Sequence, residues 1–394
     1  MGSITTTSFQ DPFQGIPAAR APDGLAALVW QFRADTDPNR TDLLVGVYKT
    51  EEGKAYVLPS VKEAKNRIFN DPDWHHEYRP SAVGSQLYRE LSANLLFGAD
   101  HRLLREKSFS PDSRRKWRMP CRRREWERRD FPSERYLVLL PYFSSKTNTF
   151  DFQKFSEAIK SLPTQSVVLL QSGAQNPTGC DPSLDQWREL ASIFLERGHL
   201  AFFDAAYPGF ASGDIDTDLQ GARLFAEQEV PLVFVSTYGK AFGLYSERVG
   251  VLSVLVPNEE TGKRVEAQLS LLARAESGAP PDFGSKIVET VLSDEALQRQ
   301  WRQEVRDMAN QLKHRRAALR EALEKFETPG SWRHITEQNG MFSYVGLSVE
   351  QVTLLREKHH VYLQHSGRIS IAGLNDSNIE YTARSISDVV KATV

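Results

Sequence analysis

The sequence is poor in cysteine and has no long hydrophobic run. Only Cys121 and Cys180 occur among its 394 residues. They are too few for a disulfide framework or a metal cluster, which fits a reducing compartment and leads us to expect a cytoplasmic protein without a metal. No apolar stretch approaches the roughly 18 residues that a membrane span needs, so an integral membrane protein is excluded and no membrane partner is expected. The first basic residue is Arg20 and no charged segment precedes an apolar one, so neither a secretory nor a transit peptide is read there. No internal repeat is found.

What is present is an enzyme-sized chain, 40% hydrophobic and 25% charged, with a formal net charge of -2. It is long enough for one large domain with an appendage or for two domains of common size. The near-neutral balance averages unlike parts. Residues 101–135 hold 13 Lys and Arg against 6 Asp and Glu, a local +7 that leaves the rest of the chain at -9. Clustered arginines with aromatics suit phosphate and base contacts. The acidic remainder opposes phosphate affinity, and no nucleic-acid partner is expected.

Strand-like apolar runs alternate with helical patterns through the middle, the signature of an α/β fold with a mostly parallel sheet flanked by helices. Residues 166–170, 200–203, 231–236 and 249–256 read as strands. Asp181-Pro182 reads as the start of a helix with Trp187, Leu190, Ile193 and Phe194 on its apolar face and Gly198 closing it. Leu87, Leu91 and Leu95 outline another amphipathic helix. From Asp294 to Phe326 runs a long pattern with Leu297, Trp301, Val305, Met308, Leu312, Leu319 and Leu323 on one side. A helix of that length joins two domains or lies along an interface. Shorter segments follow, with strands at 340–345 and 368–372, so a smaller α+β domain is expected at the C-terminal end.

Three segments fall where the middle strands end, and open α/β sheets bind ligands at the carboxyl ends of their strands. They are Asn176-Pro177-Thr178-Gly179, Asp204-Ala205-Ala206-Tyr207, and Ser236-Thr237-Tyr238-Gly239-Lys240 followed by Arg248. Singly, each has an ordinary reading as a turn, a cap or a solvated lysine. Further stretches accompany them: Val45-Gly46-Val47-Tyr48-Lys49-Thr50, Tyr207-Pro208-Gly209-Phe210, Gly243-Leu244-Tyr245, Glu247-Arg248-Val249-Gly250 and Gly367-Arg368-Ile369-Ser370. In this order and spacing the set resembles the class I pyridoxal-phosphate aminotransferases, of the aspartate aminotransferase kind. The resemblance runs from Asp11-Pro12 to near the C-terminus, interrupted by residues 101–141.

The resemblance implies the type I fold of pyridoxal-phosphate transferases. Residues 1–45 would form an N-terminal arm and part of the small domain, 46–310 a large cofactor-binding domain, and 311–394 a small C-terminal domain. It implies pyridoxal 5'-phosphate as cofactor, an L-amino acid (aspartate or glutamate) and a 2-oxo acid as substrates, and a homodimer with shared active sites. Lys240 matches the amine that joins the cofactor aldehyde and then moves the substrate proton. Asp204 matches the carboxylate that keeps the pyridine nitrogen protonated, and Asn176 and Tyr207 match donors to the ring's phenolate oxygen. Thr237 and Arg248 match phosphate ligands. Arg368, aided by the Gly46 N–H and Asn176, matches the clamp on the substrate α-carboxylate. Arg274 matches the reader of a distal carboxylate; it and Tyr78, a further cofactor contact, would reach in from the neighbouring subunit. An aminotransferase of a specialised pathway and a catalytically impaired dimeric relative share these features.

Two stretches depart from the family pattern. Arg274 is followed by Ala-Glu-Ser-Gly-Ala-Pro-Pro, where the family has Pro-Met-Tyr/Trp-Ser-Asn-Pro-Pro; Glu276 pairs with Arg274, binds a substrate amine, or is solvated. Residues 101–141 lack the Ser-Gly-Thr-Gly-type loop at the helix N-terminus that binds phosphate. They carry Arg114-Arg115-Lys116-Trp117-Arg118 and Arg122-Arg123-Arg124 instead. Read one base along, the codons of Ser110 to Cys121 are compatible with a loop of the missing kind. As written, the stretch predicts weak cofactor retention, since several charge-assisted hydrogen bonds are lost.

Overall fold

The computed structural model describes residues 24–78, 81–98 and 137–393. The basic segment, with Trp117, Cys121 and the out-of-frame reading, lies outside the described residues. From the N-terminal side come α1 (Gly24–Ala34), the short strand β1 (Thr41–Asp42), α2 (Pro59–Phe69) and α3 (Gln86–Phe97). The pair β2 (Phe143–Ser144) and β3 (Thr149–Phe150) is followed by α4 (Phe152–Ser161), β4 (Val167–Gln171), α5 (Leu184–Arg197) and β5 (Leu200–Ala205). A helical turn at Ile215–Asp218 precedes α6 (Gln220–Glu227), β6 (Leu232–Thr237) and β7 (Gly250–Val254). Then α7 (Glu259–Ser277), α8 (Phe283–Ser293) and the 31-residue α9 (Glu295–Lys325) lead to β8 (Phe342–Tyr344). The chain closes with α10 (Val349–His359), β9 (Val361–Tyr362), β10 (Arg368–Ser370) and α11 (Ile379–Thr393).

Among the described residues the central sheet runs β4-β5-β6-β7. β4, β5 and β6 are parallel, with helices in the connections, while β7 is antiparallel to β6. The β6–β7 link holds no helix, and a parallel return needs a crossover of a dozen or more residues. Packed on the sheet, Trp187, Phe194, Phe203 and Phe225 meet ring to ring at 5.1–5.9 Å.

A second centre joins the two ends of the chain. β1 pairs with β9 in parallel, and β10 pairs with β8 antiparallel. The Ser370 N–H donates to the Leu43 carbonyl at 2.9 Å, which sets residues 43–46 beside β10. Helix α9 spans both centres. Trp301 near its start stacks on Phe242 at 4.3 Å, and its later turns, with Leu319 and Leu323 fully buried, pack on α11.

Two expectations are corrected. Helix α5 begins at Leu184, where Ser183 and Gln186 form a capping box, and not at Asp181-Pro182; the Asp181 carboxylate turns back to bind main-chain N–H groups of residues 174 and 175. In α3, Leu87 is 47% exposed, and the buried face is Tyr88, Ser92, Leu95 and Leu96, one position further round the helix. Among the described residues no helix is long and apolar enough to cross a membrane.

Candidate active site

The parallel register brings three strand ends to one edge. Gln171 lies opposite Asp204, and Ala205 opposite Ser236, so the loops after β4, β5 and β6 emerge together. The first loop carries Asn176, joined to Pro177 by a cis peptide bond. Gln171 at the end of β4 grips its main chain from both sides. It accepts from the Asn176 N–H at 2.8 Å and donates to the Asn176 carbonyl at 3.2 Å. The Asn176 amide then donates to the Tyr207 hydroxyl at 3.4 Å. Tyr207 is buried, and burial pushes its hydroxyl up to about 12, so it stays protonated and able to donate.

Beneath them Asp204 is a half-buried carboxylate on β5. From the third loop the Lys240 Nζ reaches between two rings, 5.7 Å from the centre of Tyr207 and 5.3 Å from that of Tyr245. The Tyr245 hydroxyl accepts from the Tyr48 N–H at 2.9 Å and so ties the Lys240 loop to the segment holding Gly46.

Arg368 enters from β10, only 8% exposed. It donates to Asn176 Oδ1 at 3.2 Å and to the Leu44 carbonyl at 2.6 Å, and its guanidinium lies 4.0 Å from the centre of the Phe342 ring. Its Nε has no partner among the described residues. Phe342 also meets the Tyr207 ring edge-on at 5.8 Å. Gly46 allows this packing: a Cβ there would stand 2.4 Å from Phe342 Cζ. On the other flank Thr237 pairs with Gly250 across β6 and β7, which brings Arg248 next to the Lys240 loop. Arg248, with φ 55°, donates to the Tyr245 carbonyl at 3.0 Å. The Thr237 hydroxyl accepts from the Gly239 N–H at 3.2 Å.

A family model described as "Aminotransferase class I and II" matches residues 133–386, beginning where the basic segment ends. Aspartate aminotransferase 1 of Medicago sativa is 36% identical over 94% of this chain and 94% of its own length. The chain belongs to the class I and II aminotransferases. The solved aspartate aminotransferase of Saccharomyces cerevisiae cytoplasm superposes with a TM-score of 0.89 at 32% identity, covering 97% of this chain and 99% of that one. An aromatic-amino-acid aminotransferase of Burkholderia pseudomallei, solved covalently bound to pyridoxal phosphate, gives 0.88 at 30% identity, covering 97% and 100%. The fold is the type I fold of pyridoxal-phosphate enzymes, and transamination with that cofactor is the chemistry of the family.

For an aminotransferase the arrangement has the needed donor set. An amine, a carboxylate, a hydroxyl and a guanidinium converge at the strand ends, and a second guanidinium keeps an unpaired N–H. The described residues therefore fit the cofactor and a carboxylate-bearing substrate. Asn176, Asp204, Tyr207, Thr237, Lys240 and Arg248 are grouped at these strand ends, with Gly46 and Arg368 set against them. Tyr78 is 86% exposed and Arg274 is exposed in the last turn of α7. No ion pair joins Arg274 to Glu276 among the described residues; side chains two apart on a helix point in different directions. In the sequence Asp181 reads only as part of a helix start, and Gln171, Phe342 and Asp218 have no assigned role. Phe342 meets segments far along the chain, whereas Gln171, Asp181 and Asp218 bond main chain five to nine residues away in their own loops, a pairing that only the folded loop displays; Tyr245, inside a recognised stretch, carried a signal.

Proposed function

We propose that the chain exchanges an amino group between an L-amino acid, aspartate or glutamate, and a 2-oxo acid, using pyridoxal 5'-phosphate held at the ends of β4, β5 and β6. The observation that carries this is Lys240, its amine set between Tyr207 and Tyr245, with Arg368 facing Asn176 on the adjoining side. When bound, the cofactor supplies an aldehyde that takes up the amino group and a ring that spreads the charge left on the substrate Cα.

The chain's residues do the rest. Lys240 would hold the cofactor through its amine, and the same amine would take the proton from substrate Cα. Asp204 holds a proton on the ring nitrogen by charge. Asn176 and Tyr207 donate to the phenolate oxygen, while Thr237 and Arg248 bind the phosphate. Arg368, with the Gly46 N–H and Asn176, orients the substrate through its α-carboxylate. The large domain of residues 46–310 supplies all of these but Arg368, which comes from the small domain of residues 311–394; residues 1–45 are arm and small domain.

Arg274 and Tyr78 complete the site from a second copy of the chain. Their exposure supports that reading, as does α7, which buries little beyond Gly262 and Ala273 and leaves Leu271 and Leu272 62% and 52% exposed. For the compartment we propose the cytoplasm, supported by the low cysteine count and by the relative named cytoplasmic in Oryza sativa.

The test is the visible absorption of the purified protein with added pyridoxal 5'-phosphate, before and after Lys240→Ala. A band that the substitution abolishes supports the enzyme; absence of a band in both proteins sinks it in favour of an impaired relative. Adding aspartate, glutamate and aromatic amino acids in turn identifies the donor by which of them converts the band to that of the pyridoxamine form.

A further inference from the structure

The two side chains that face one another at the strand ends, Asn176 and Tyr207, sit on loops closed in the same way. The Asp181 carboxylate accepts from the N–H of Ala174 at 2.8 Å and of Gln175 at 3.0 Å, closing the loop that carries Asn176. Asp218 accepts from the N–H of Gly209 at 2.7 Å and of Ala211 and Ser212 at 3.0 Å each, closing the loop that carries Tyr207. The closures touch. The Ser172 hydroxyl donates to the Asp218 carbonyl at 3.0 Å, a Cβ on Gly173 would stand 3.0 Å from Asp218 Cβ, and both carboxylates border one cavity of about 360 Å³.

Five main-chain N–H groups are thus matched by two acceptor-only groups. An amide in either place would turn an N–H donor toward another N–H. Burial and the neighbouring Asp218 charge hold Asp181 up at about 6, and burial likewise raises Asp218. Two carboxylates kept together against burial and mutual repulsion hold their loops in one arrangement.

We propose that Asp181 and Asp218 are positioning residues for the cofactor, the first fixing Asn176 and the second Tyr207 as donors to its phenolate oxygen. This rests on the function proposed above. Donors that bind the charged form of a group lower its pKa, and a hydrogen bond weakens steeply once its angle is lost. Each carboxylate therefore keeps low the pH at which the visible band of Lys240-bound pyridoxal phosphate changes.

The experiment titrates that band in wild type, Asp181→Asn and Asp218→Asn, alongside thermal melting. We expect each variant to raise the midpoint by about one pH unit. In a Tyr207→Phe background Asp218→Asn should add nothing, and in an Asn176→Ala background Asp181→Asn should add nothing. Where a carboxamide variant does not fold, Asp181→Glu and Asp218→Glu, which move the acceptors by one methylene, carry the same expectation. Variants that melt earlier yet keep the wild-type midpoint overturn the proposal, as does a shift that persists in full after the donor is removed. A wild-type protein with no band brings down the cofactor reading and this inference with it.

Discussion

Arg368 and Arg316 are both buried, and their partners differ in a way that accords with the substrate role proposed for Arg368. Arg316 is 2% exposed and bonded at both terminal nitrogens, although its Nε, like that of Arg368, has no partner among the described residues. It donates to the carbonyls of Ile335, Asn339 and Gly340 at 2.8–3.0 Å and to that of Phe342, and burial lowers its pKa to about 9. Arg368 makes only two such bonds, no carboxylate pairs with it among the described residues, and burial lowers its pKa as well. A buried cation so lightly partnered is costly until a carboxylate arrives. Arg368→Lys, which loses the planar fork, should lower kcat/KM roughly 10- to 100-fold, by loss of a charge-assisted bond of about 1.5–3 kcal/mol, while leaving cofactor binding intact. Steady-state kinetics beside a cofactor titration check both halves. Asp181 makes a second residue-scale prediction. Its folded pKa of about 6 lies above the ordinary 3.8, so between those values the folded chain keeps a proton that the unfolded chain has released. Stability from this group is present below pH 3.8, falls as pH rises toward 6 and is level above it. Chemical denaturation of wild type against Asp181→Asn should show a difference that changes by on the order of 2–3 kcal/mol across that window.

Helix α9 links the site to the core. The Trp301 indole donates to the Ala241 carbonyl at 2.9 Å, directly after Lys240, and its ring stacks on Phe242. Trp301→Ala should cost about 3–5 kcal/mol in urea unfolding and should reduce covalent cofactor loading, because the Lys240 loop loses its support. The helix was legible in the sequence: its apolar positions recur at helical spacing through the whole pattern, and Asp294 caps its start as the pattern indicates. Strand-end position made Asn176, Asp204 and Lys240 candidates, and their expected roles came from the order and spacing that resemble the class I aminotransferases. What stayed illegible depends on how loops close on themselves and on contacts between distant segments. Asp181-Pro182 carries the local signal of a helix start, yet the carboxylate binds residues 174 and 175, leaving the cap to Ser183. The packing of Gly46 on Phe342 and the bond from Tyr48 to Tyr245 join residues about 200 to 300 positions apart, for which a single sequence carries no pattern. The reversed direction of β7 follows from a helix-free connection, a feature of length rather than of apolar alternation.

At the scale of the molecule one chain displays most of a site and leaves two of its expected residues on the outside. Lys240 and Arg368 are assembled by the fold of a single copy, whereas Arg274 and Tyr78 are exposed. If a second copy supplies them, a site needs Lys240 from one subunit and Arg274 from the other. Lys240→Ala and Arg274→Ala homodimers should each be nearly inactive toward aspartate. Unfolding the two variants together and refolding the mixture yields heterodimers as half of all dimers by random pairing. Each heterodimer has one site with both residues intact and one with neither, so about a quarter of the sites are whole. Recovery of about a quarter of wild-type activity from two inactive parents supports the shared site, because no site confined to one chain regains both residues by mixing. Activity that stays at the level of the parents, in a mixture shown by mass to contain heterodimers, places the reader of the distal carboxylate within the same chain.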